Sequence, residues 1–236
     1  MVFEIIKSVV RPVENLRHVA YLLPHTDVTA EMDCARMLPG HVIHVQRMWL
    51  DDVGEEAERR MVAEELPAAL RYLKGVAPYG CAVFGCTSAS AANGREGMLA
   101  IERQMRRELS CPSITALGAV LKEIDRRGAR SVEVLTPYTE AVNVFFRETL
   151  ERFGVKVSFI AGMGLSCDND IAALDPADIC GWARSQRECV PKEADLCFFS
   201  CTNLRAAEVQ KELEGCVGRP VITSNQCVID YIKALP

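Results

Sequence analysis

Asp195-Leu-Cys-Phe-Phe-Ser-Cys201-Thr-Asn-Leu-Arg205 is the stretch from which the fold can be read. An apolar run stops at a small polar residue and a cysteine, and a helical pattern follows Thr202 and Asn203. This predicts a buried strand, a tight loop and a helix start. A thiol in such a loop lies beside unsatisfied backbone N–H groups and the positive end of a helix dipole. Both favour its thiolate and any bound carboxylate.

The pattern occurs twice. Cys81-Ala-Val-Phe-Gly-Cys86-Thr-Ser-Ala-Ser90 is again an apolar run, a small residue and Cys-Thr, and 201 − 86 = 115 positions is close to half of the 236 residues. Leu22-Leu-Pro-His-Thr-Asp-Val-Thr29 aligns with Leu135-Thr-Pro-Tyr-Thr-Glu-Ala-Val142 at 137 − 24 = 113, and Pro112-Ser-Ile-Thr-Ala116 with Pro220-Val-Ile-Thr-Ser224 at 220 − 112 = 108. Three strand-end matches in one order argue for an internal duplication. The chain is read as two similar α/β lobes, each offering a cysteine at a strand end.

Working outward, short apolar runs predict strands over 18–23, 42–46, 81–85, 113–115, 132–135, 155–160, 196–199 and 221–223. Helical spacing predicts helices over 29–37, 55–74, 98–109, 116–127, 138–153, 176–188, 203–213 and 226–235, with Pro67 a candidate kink. Residues 86–97 and 162–170 read as loops. Strict alternation of strand and helix makes this an α/β chain with two pseudo-symmetric Rossmann-like lobes, each built on a four-stranded parallel sheet. The first lobe spans 1–115, with the closing helix near 225–236 packing back on it, and the second spans 116–224. Ligands of parallel sheets bind beyond the carboxyl ends of strands, where both cysteines and both Pro-initiated loops sit.

Composition excludes several classes. The chain is 49% hydrophobic and 25% charged with a net charge of −5. It has no basic block, so neither nucleic acid nor an anionic membrane is an expected partner. The N-terminal Met1-Val-Phe-Glu-Ile-Ile-Lys7 lacks the pattern of a cleaved leader, and no apolar run reaches the ~18 residues of a membrane span. A cytoplasmic protein is expected. The 11 cysteines are odd in number and several lie within apolar runs, which suits buried free thiols in a reducing compartment. Their spacing gives little support to zinc, and Gly162-Met-Gly164 lacks the third glycine of a dinucleotide motif. His41 and His44 read as structural.

Cys86 and Cys201 stand out by their duplicated placement, although free cysteine is commonly just a small buried hydrophobe. Two opposed thiols suit proton removal next to a carboxylate, which needs a base, an acid and donors for the enediolate. One thiolate could instead add to an activated double bond. Thr87, Ser88 and Thr202 read either as helix caps or as parts of an anion nest.

Gly85-Cys-Thr-Ser-Ala-Ser90, Thr136-Pro-Tyr-Thr-Glu-Ala-Val-Asn143, Gly164-Leu-Ser-Cys-Asp-Asn169 and Ser200-Cys-Thr-Asn-Leu-Arg205 together resemble the Asp/Glu racemase superfamily. The branch is that of maleate cis-trans isomerase, arylmalonate decarboxylase and the ectoine-utilisation isomerase-like proteins. The resemblance implies a site between the lobes without cofactor or metal, a small carboxylic-acid substrate and a homodimer. It implies that Cys86 is the nucleophile and Cys201 the proton donor, that Tyr138 and Asn169 bind a substrate carboxylate, and that Thr87, Ser88, Thr202 and Asn203 surround the carboxylate oxygens. Decarboxylases of this branch typically lack the first cysteine and carry Gly-Gly after the second. With both cysteines and Thr-Asn, the chain is expected to be an isomerase or racemase, with a decarboxylase or a catalytically silent binding protein as alternatives.

One position departs from the isomerase pattern. Where those enzymes usually carry an asparagine, the loop here reads Pro24-His-Thr-Asp27-Val. Asp27 is suited to cap the helix that follows. Near the substrate it would repel a second carboxylate and attract a cationic group such as an amine or amidine.

Overall fold

The computed structural model describes residues 16–189 and 194–235; the N-terminal stretch read for a leader lies outside them. The first half runs β1 (Arg17–Pro24), α1 (Thr29–Met37), β2 (His41–Met48), α2 (Glu55–Leu73), β3 (Tyr79–Phe84), α3 (Thr87–Ala92), α4 (Gly94–Leu109), β4 (Ser113–Thr115) and α5 (Ala116–Arg126). The second runs β5 (Ser131–Tyr138), α6 (Glu140–Arg152), β6 (Lys156–Leu165), α7 (Asp168–Ala172), α8 (Pro176–Gln186) and β7 (Leu196–Phe199). It continues through a 3₁₀ turn (Arg205–Val209), α9 (Gln210–Val217), β8 (Val221–Thr223) and α10 (Ser224–Ala234).

Two four-stranded sheets result, ordered β2-β1-β3-β4 and β6-β5-β7-β8, with every pairing parallel. The duplication read from the sequence extends to single hydrogen bonds. Ala82 N donates to Pro112 O and Cys197 N to Pro220 O, both at 2.9 Å. Thr115 Oγ1 caps α5 by accepting from Gly118 N at 3.0 Å, and Thr223 Oγ1 caps α10 by accepting from Gln226 N at 3.1 Å.

Alternation along the strands divides the core. Val19, Tyr21 and Val83 of the first sheet share one cluster with Val132, Val134 and Phe198 of the second, together with Val120 of α5 and Val228 of α10. Ala20, Leu22 and Phe84 point the other way, towards α2 and α4, as do Leu135, Cys197 and Phe199 towards α8 and α9. The inner strands β1, β3, β5 and β7 are buried on both faces, which is why they read as continuous apolar runs, whereas the edge strands β2 and β6 are only partly covered.

Three local expectations are corrected. Thr87–Ala92 is a helix, not a loop; its residues are all small and buried, so they carry no apolar periodicity to read. No α-helix begins at Asn203; Leu204 is extended, a 3₁₀ turn follows, and α9 starts only at Gln210. β6 runs on to Leu165, paired with Tyr138 across a register shift, through part of the expected loop. Pro67 lies inside α2 without ending it.

The two cysteine loops differ in backbone. A Cβ on Gly85 would collide with the side chains of Leu23 and Tyr21, so the chain before Cys86 needs glycine. Cys86 itself is extended at φ −142°. Cys201 has φ +101°, a region that side chains other than glycine's rarely enter.

Gly85→Ala is therefore expected to lower unfolding stability by about 1–3 kcal/mol through overpacking, as measured by urea denaturation. At the second loop the order of two truncations is predicted: Cys201→Gly should be more stable than Cys201→Ala by about 1 kcal/mol, because glycine relieves the positive φ.

Candidate active site

β3 ends at Phe84 and β7 at Phe199, so both cysteine loops emerge at carboxyl ends of strands. Three hydrogen bonds tie the loops together. Thr202 Oγ1 donates to Gly85 O at 3.1 Å. Thr87 Oγ1 donates to Ser224 Oγ at 2.9 Å, and the same Ser224 oxygen accepts from Cys201 N at 3.2 Å. Ser224 corresponds to Ala116 in the duplication, so only the second half supplies this bridging hydroxyl.

The thiols are enclosed, with Cys86 5% and Cys201 9% exposed. Each is met by a nearby backbone N–H: that of Ala89 in α3 for Cys86, and Asn203 N for Cys201 Sγ at 3.4 Å. The expected thiolates are nonetheless not favoured. Burial, and after it the Glu58 carboxyl, pushes Cys86 well above the ordinary thiol range; burial, then Asp168 and Asp27, does the same to Cys201. The helix-dipole argument fails because α3 is only 6 residues long and no α-helix follows Cys201 directly.

Tyr138 is buried with its hydroxyl 3.4 Å from Ser200 Oγ, and burial followed by Cys201 raises its pKa well above 10.0. Ser88 Oγ lies 3.7 Å from Cys86 Sγ. Thr87 and Thr202 spend their hydroxyls on the bridges between loops. Asn203 is more committed still. Its Oδ1 accepts from Val28 N at 3.1 Å and Thr29 N at 3.3 Å, and its Nδ2 donates to Thr26 O at 3.3 Å and Asp168 O at 3.0 Å. Asn203 thereby fastens two neighbouring loops to that of Cys201. Asn169 is exposed, whereas the adjacent Asp168 lies close enough to act on both thiols.

Asp27 serves as the expected helix cap. Its Oδ1 caps α1 by accepting from Ala30 N at 3.0 Å. Its Oδ2 is buried without a hydrogen-bond partner, beside Thr202 and within range of Cys201. Burial first, and Asp168 after it, raises this carboxyl to about 7.

Sequence reasoning missed Glu58. It is 0% exposed on α2, and neither carboxyl oxygen has a hydrogen-bond partner. The Ser88 hydroxyl lies nearby, and burial, reinforced by Asp168, Glu55 and Asp52, lifts Glu58 to about 8. Its spacing from Met61 and Val62, three and four residues on, places it on the apolar stripe of the helix, a signal hidden within Glu55-Glu-Ala-Glu-Arg-Arg60. Three carboxyls thus adjoin two thiols. The basic side chains beside them are His25, near Asp168, and Arg47, whose guanidinium is bonded to the Pro24 and Asp27 carbonyls and to Glu31.

Among the described residues, no helix is long and apolar enough to cross a membrane. Nor does any group of three or more His, Cys, Asp or Glu converge closely enough to hold a metal ion.

The fold has counterparts among solved structures. Maleate isomerase Iso from Pseudomonas putida S16 superposes with a TM-score of 0.85 at 20% identity, over 93% of each chain. Nocardia farcinica maleate cis-trans isomerase, solved as a mutant with a covalently bound succinylcysteine intermediate, gives 0.83 at 18% identity over 92% of this chain and 91% of that one. A mutant of arylmalonate decarboxylase in liganded form gives 0.83 at 22% identity over 93% and 92%. No curated protein sequence matches significantly. The family model for arylmalonate decarboxylase matches residues 20–231, nearly the whole chain, and the protein belongs to that family.

Proposed function

We propose that the protein is a cofactor-independent isomerase or racemase of a small carboxylic acid, similar to maleate cis-trans isomerase, working through Cys86 and Cys201. The observation that carries this reading is the joining of two buried thiol loops from duplicated strand ends through Ser224 and Gly85. In racemisation, one thiolate removes the α-proton while the other thiol delivers a proton to the opposite side, so the pair exchanges protonation states. In cis-trans isomerisation, the Cys86 sulfur adds to one alkene carbon and Cys201 protonates its neighbour. After rotation about the new single bond, Cys201 takes back a proton and the Cys86 thiolate leaves.

Either route needs one thiol ionised, whereas burial and the neighbouring carboxyls favour the protonated form of both. Ser88 and Tyr138 offer hydroxyls to a substrate carboxylate; Thr87, Thr202 and Asn203 have committed side chains and would contribute backbone N–H groups. Asn169 would need to turn inward to take part. A homodimer and a cytoplasmic location, both expected from the sequence, are part of the same proposal.

Decarboxylation of a malonate is the second reading, favoured by the family that the chain belongs to; there Cys201 alone would protonate the product. A screen of small acids by NMR in deuterated water separates these readings. Inversion or α-deuteration supports racemisation, conversion between cis and trans alkenes supports addition, and release of carbon dioxide supports the decarboxylase.

Cys86→Ser and Cys201→Ser are each expected to lower turnover by about 10²–10⁴-fold, since a serine hydroxyl is too weak an acid to replace a thiol. Full activity of Cys86→Ser would leave only the one-thiol decarboxylase standing. In the unliganded protein, both cysteines should alkylate slowly at pH 7 and faster only well above pH 9, followed by mass spectrometry. Fast labelling of either at neutral pH would contradict the burial argument.

A further inference from the structure

We propose that Asp33 and Asn225 are positioning residues, which together clamp the strained loop of Cys201 and so aim the second thiol. The proposal rests on Cys201 taking part in the chemistry proposed above, and it concerns how that thiol is held.

Cys201 has φ +101°, and a residue in such a conformation stays there only where its surroundings fix it. The first two residues of α10 supply that restraint. Ser224 Oγ accepts from Cys201 N at 3.2 Å, and Asn225 Nδ2 donates to Thr202 O at 2.8 Å. The peptide groups before Cys201 and after Thr202 are thus both held by one helix start.

Asn225 is in turn oriented from α1. Its Nδ2 also donates to Asp33 Oδ2 at 2.7 Å, while Asp33 Oδ1 accepts from Arg36 Nη2 at 2.6 Å. Asp33 and Asn225 are both buried. A carbonyl and a carboxylate accept hydrogen bonds, so the amide must turn its nitrogen to them. Its Oδ1 is left buried, with no hydrogen-bond partner among the described residues. An empty buried acceptor is unfavourable. The asparagine is therefore explained by what its two donors hold, not by its packing.

The duplication provides a control within the same chain. Asp33 corresponds to Phe146 at the offset of 113, and Asn225 to Leu117 at the offset of 108. Phe146 on α6 and Leu117 on α5 are buried in one apolar cluster. The equivalent place in the fold thus accepts two apolar side chains. The loop on that side is the loop of Cys86, which is extended at φ −142° and needs no restraint. The polar pair stands only where the cysteine backbone is strained.

Alkylation of the full chain by iodoacetamide near pH 9, followed at each cysteine by mass spectrometry, tests the clamp. Asn225→Leu copies the first half and removes both donors. It should speed labelling of Cys201 at least tenfold, with Cys86 staying within about twofold of the wild type. Asp33→Leu frees the amide to turn and should act in the same direction, less strongly. Asp33→Asn keeps an oxygen that can accept from Asn225 and should stay near the wild-type rates. The double variant Asp33→Leu with Asn225→Leu leaves no buried carboxylate without its amide, and should release Cys201 as Asn225→Leu does. Thermal melts establish that the variants are folded. The wild type gives a second measurement that needs no substitution. By hydrogen exchange, the Cys201 N–H should be protected as well as the amides of β7, although it lies in a loop.

Unchanged labelling of Cys201 in folded Asn225→Leu or in the folded double variant overturns the clamp. Equal acceleration of Cys86 also overturns it, because a general packing role would loosen both thiols. So does a Cys201 amide that exchanges as fast as those of the exposed Ser166 and Cys167. Selective release of Cys201, in a protein that turns over no small acid, keeps the clamp and removes the two-thiol reading. Turnover through both cysteines, with Cys201 labelling unmoved by the substitutions, keeps that reading and removes the clamp.

Discussion

The side-chain amide of Asn203 holds the centre of this molecule in register. Its oxygen takes two backbone N–H groups from the start of α1, and its nitrogen gives one hydrogen bond to the loop after β1 and another to the loop after β6. An amide has two donors and an acceptor oxygen with two lone pairs, and all are used. Its backbone carbonyl also accepts from Thr29 Oγ1 at 2.9 Å. Segments as far as 177 residues apart in sequence therefore meet on one side chain next to Cys201. The loops carrying Asp27, Asp168 and the second thiol are positioned together, and the electrostatics of the cleft follow from that.

Those electrostatics are unusual for a resting site. Burial disfavours every charge the cleft could carry, and each carboxyl makes ionisation of its neighbours harder. The consequence is a cluster in which burial favours the protonated form of the carboxyls and of both thiols. The hydroxyls that bridge the lobes, from Thr87, Thr202 and Ser224, add rigidity without adding charge.

The architecture was legible because duplication wrote it twice. The strand-end matches at Pro24 and Pro137, Cys86 and Cys201, and Pro112 and Pro220 all fall at equivalent places in two sheets of the same order. What was not legible depended on tertiary context. Thr87–Ala92 is helical without apolar periodicity, because small residues let it nestle between α2 and α6. The segment after Asn203 reads as helix but starts with an extended Leu204 and a 3₁₀ turn. A one-residue change of phase exchanges the inward roles of Asp168 and Asn169. Glu58 looks like one charge among many on a solvated helix, and only its phase relative to Met61 and Val62 marks it as buried.

The positive φ of Cys201 has a bearing on how such a chain changes over generations. Cysteine and glycine codons differ by a single base, and at position 201 that step relaxes the backbone. At position 86, where the backbone is already extended, it yields no such relief. The two halves of the duplication therefore differ in how readily the backbone tolerates loss of the thiol.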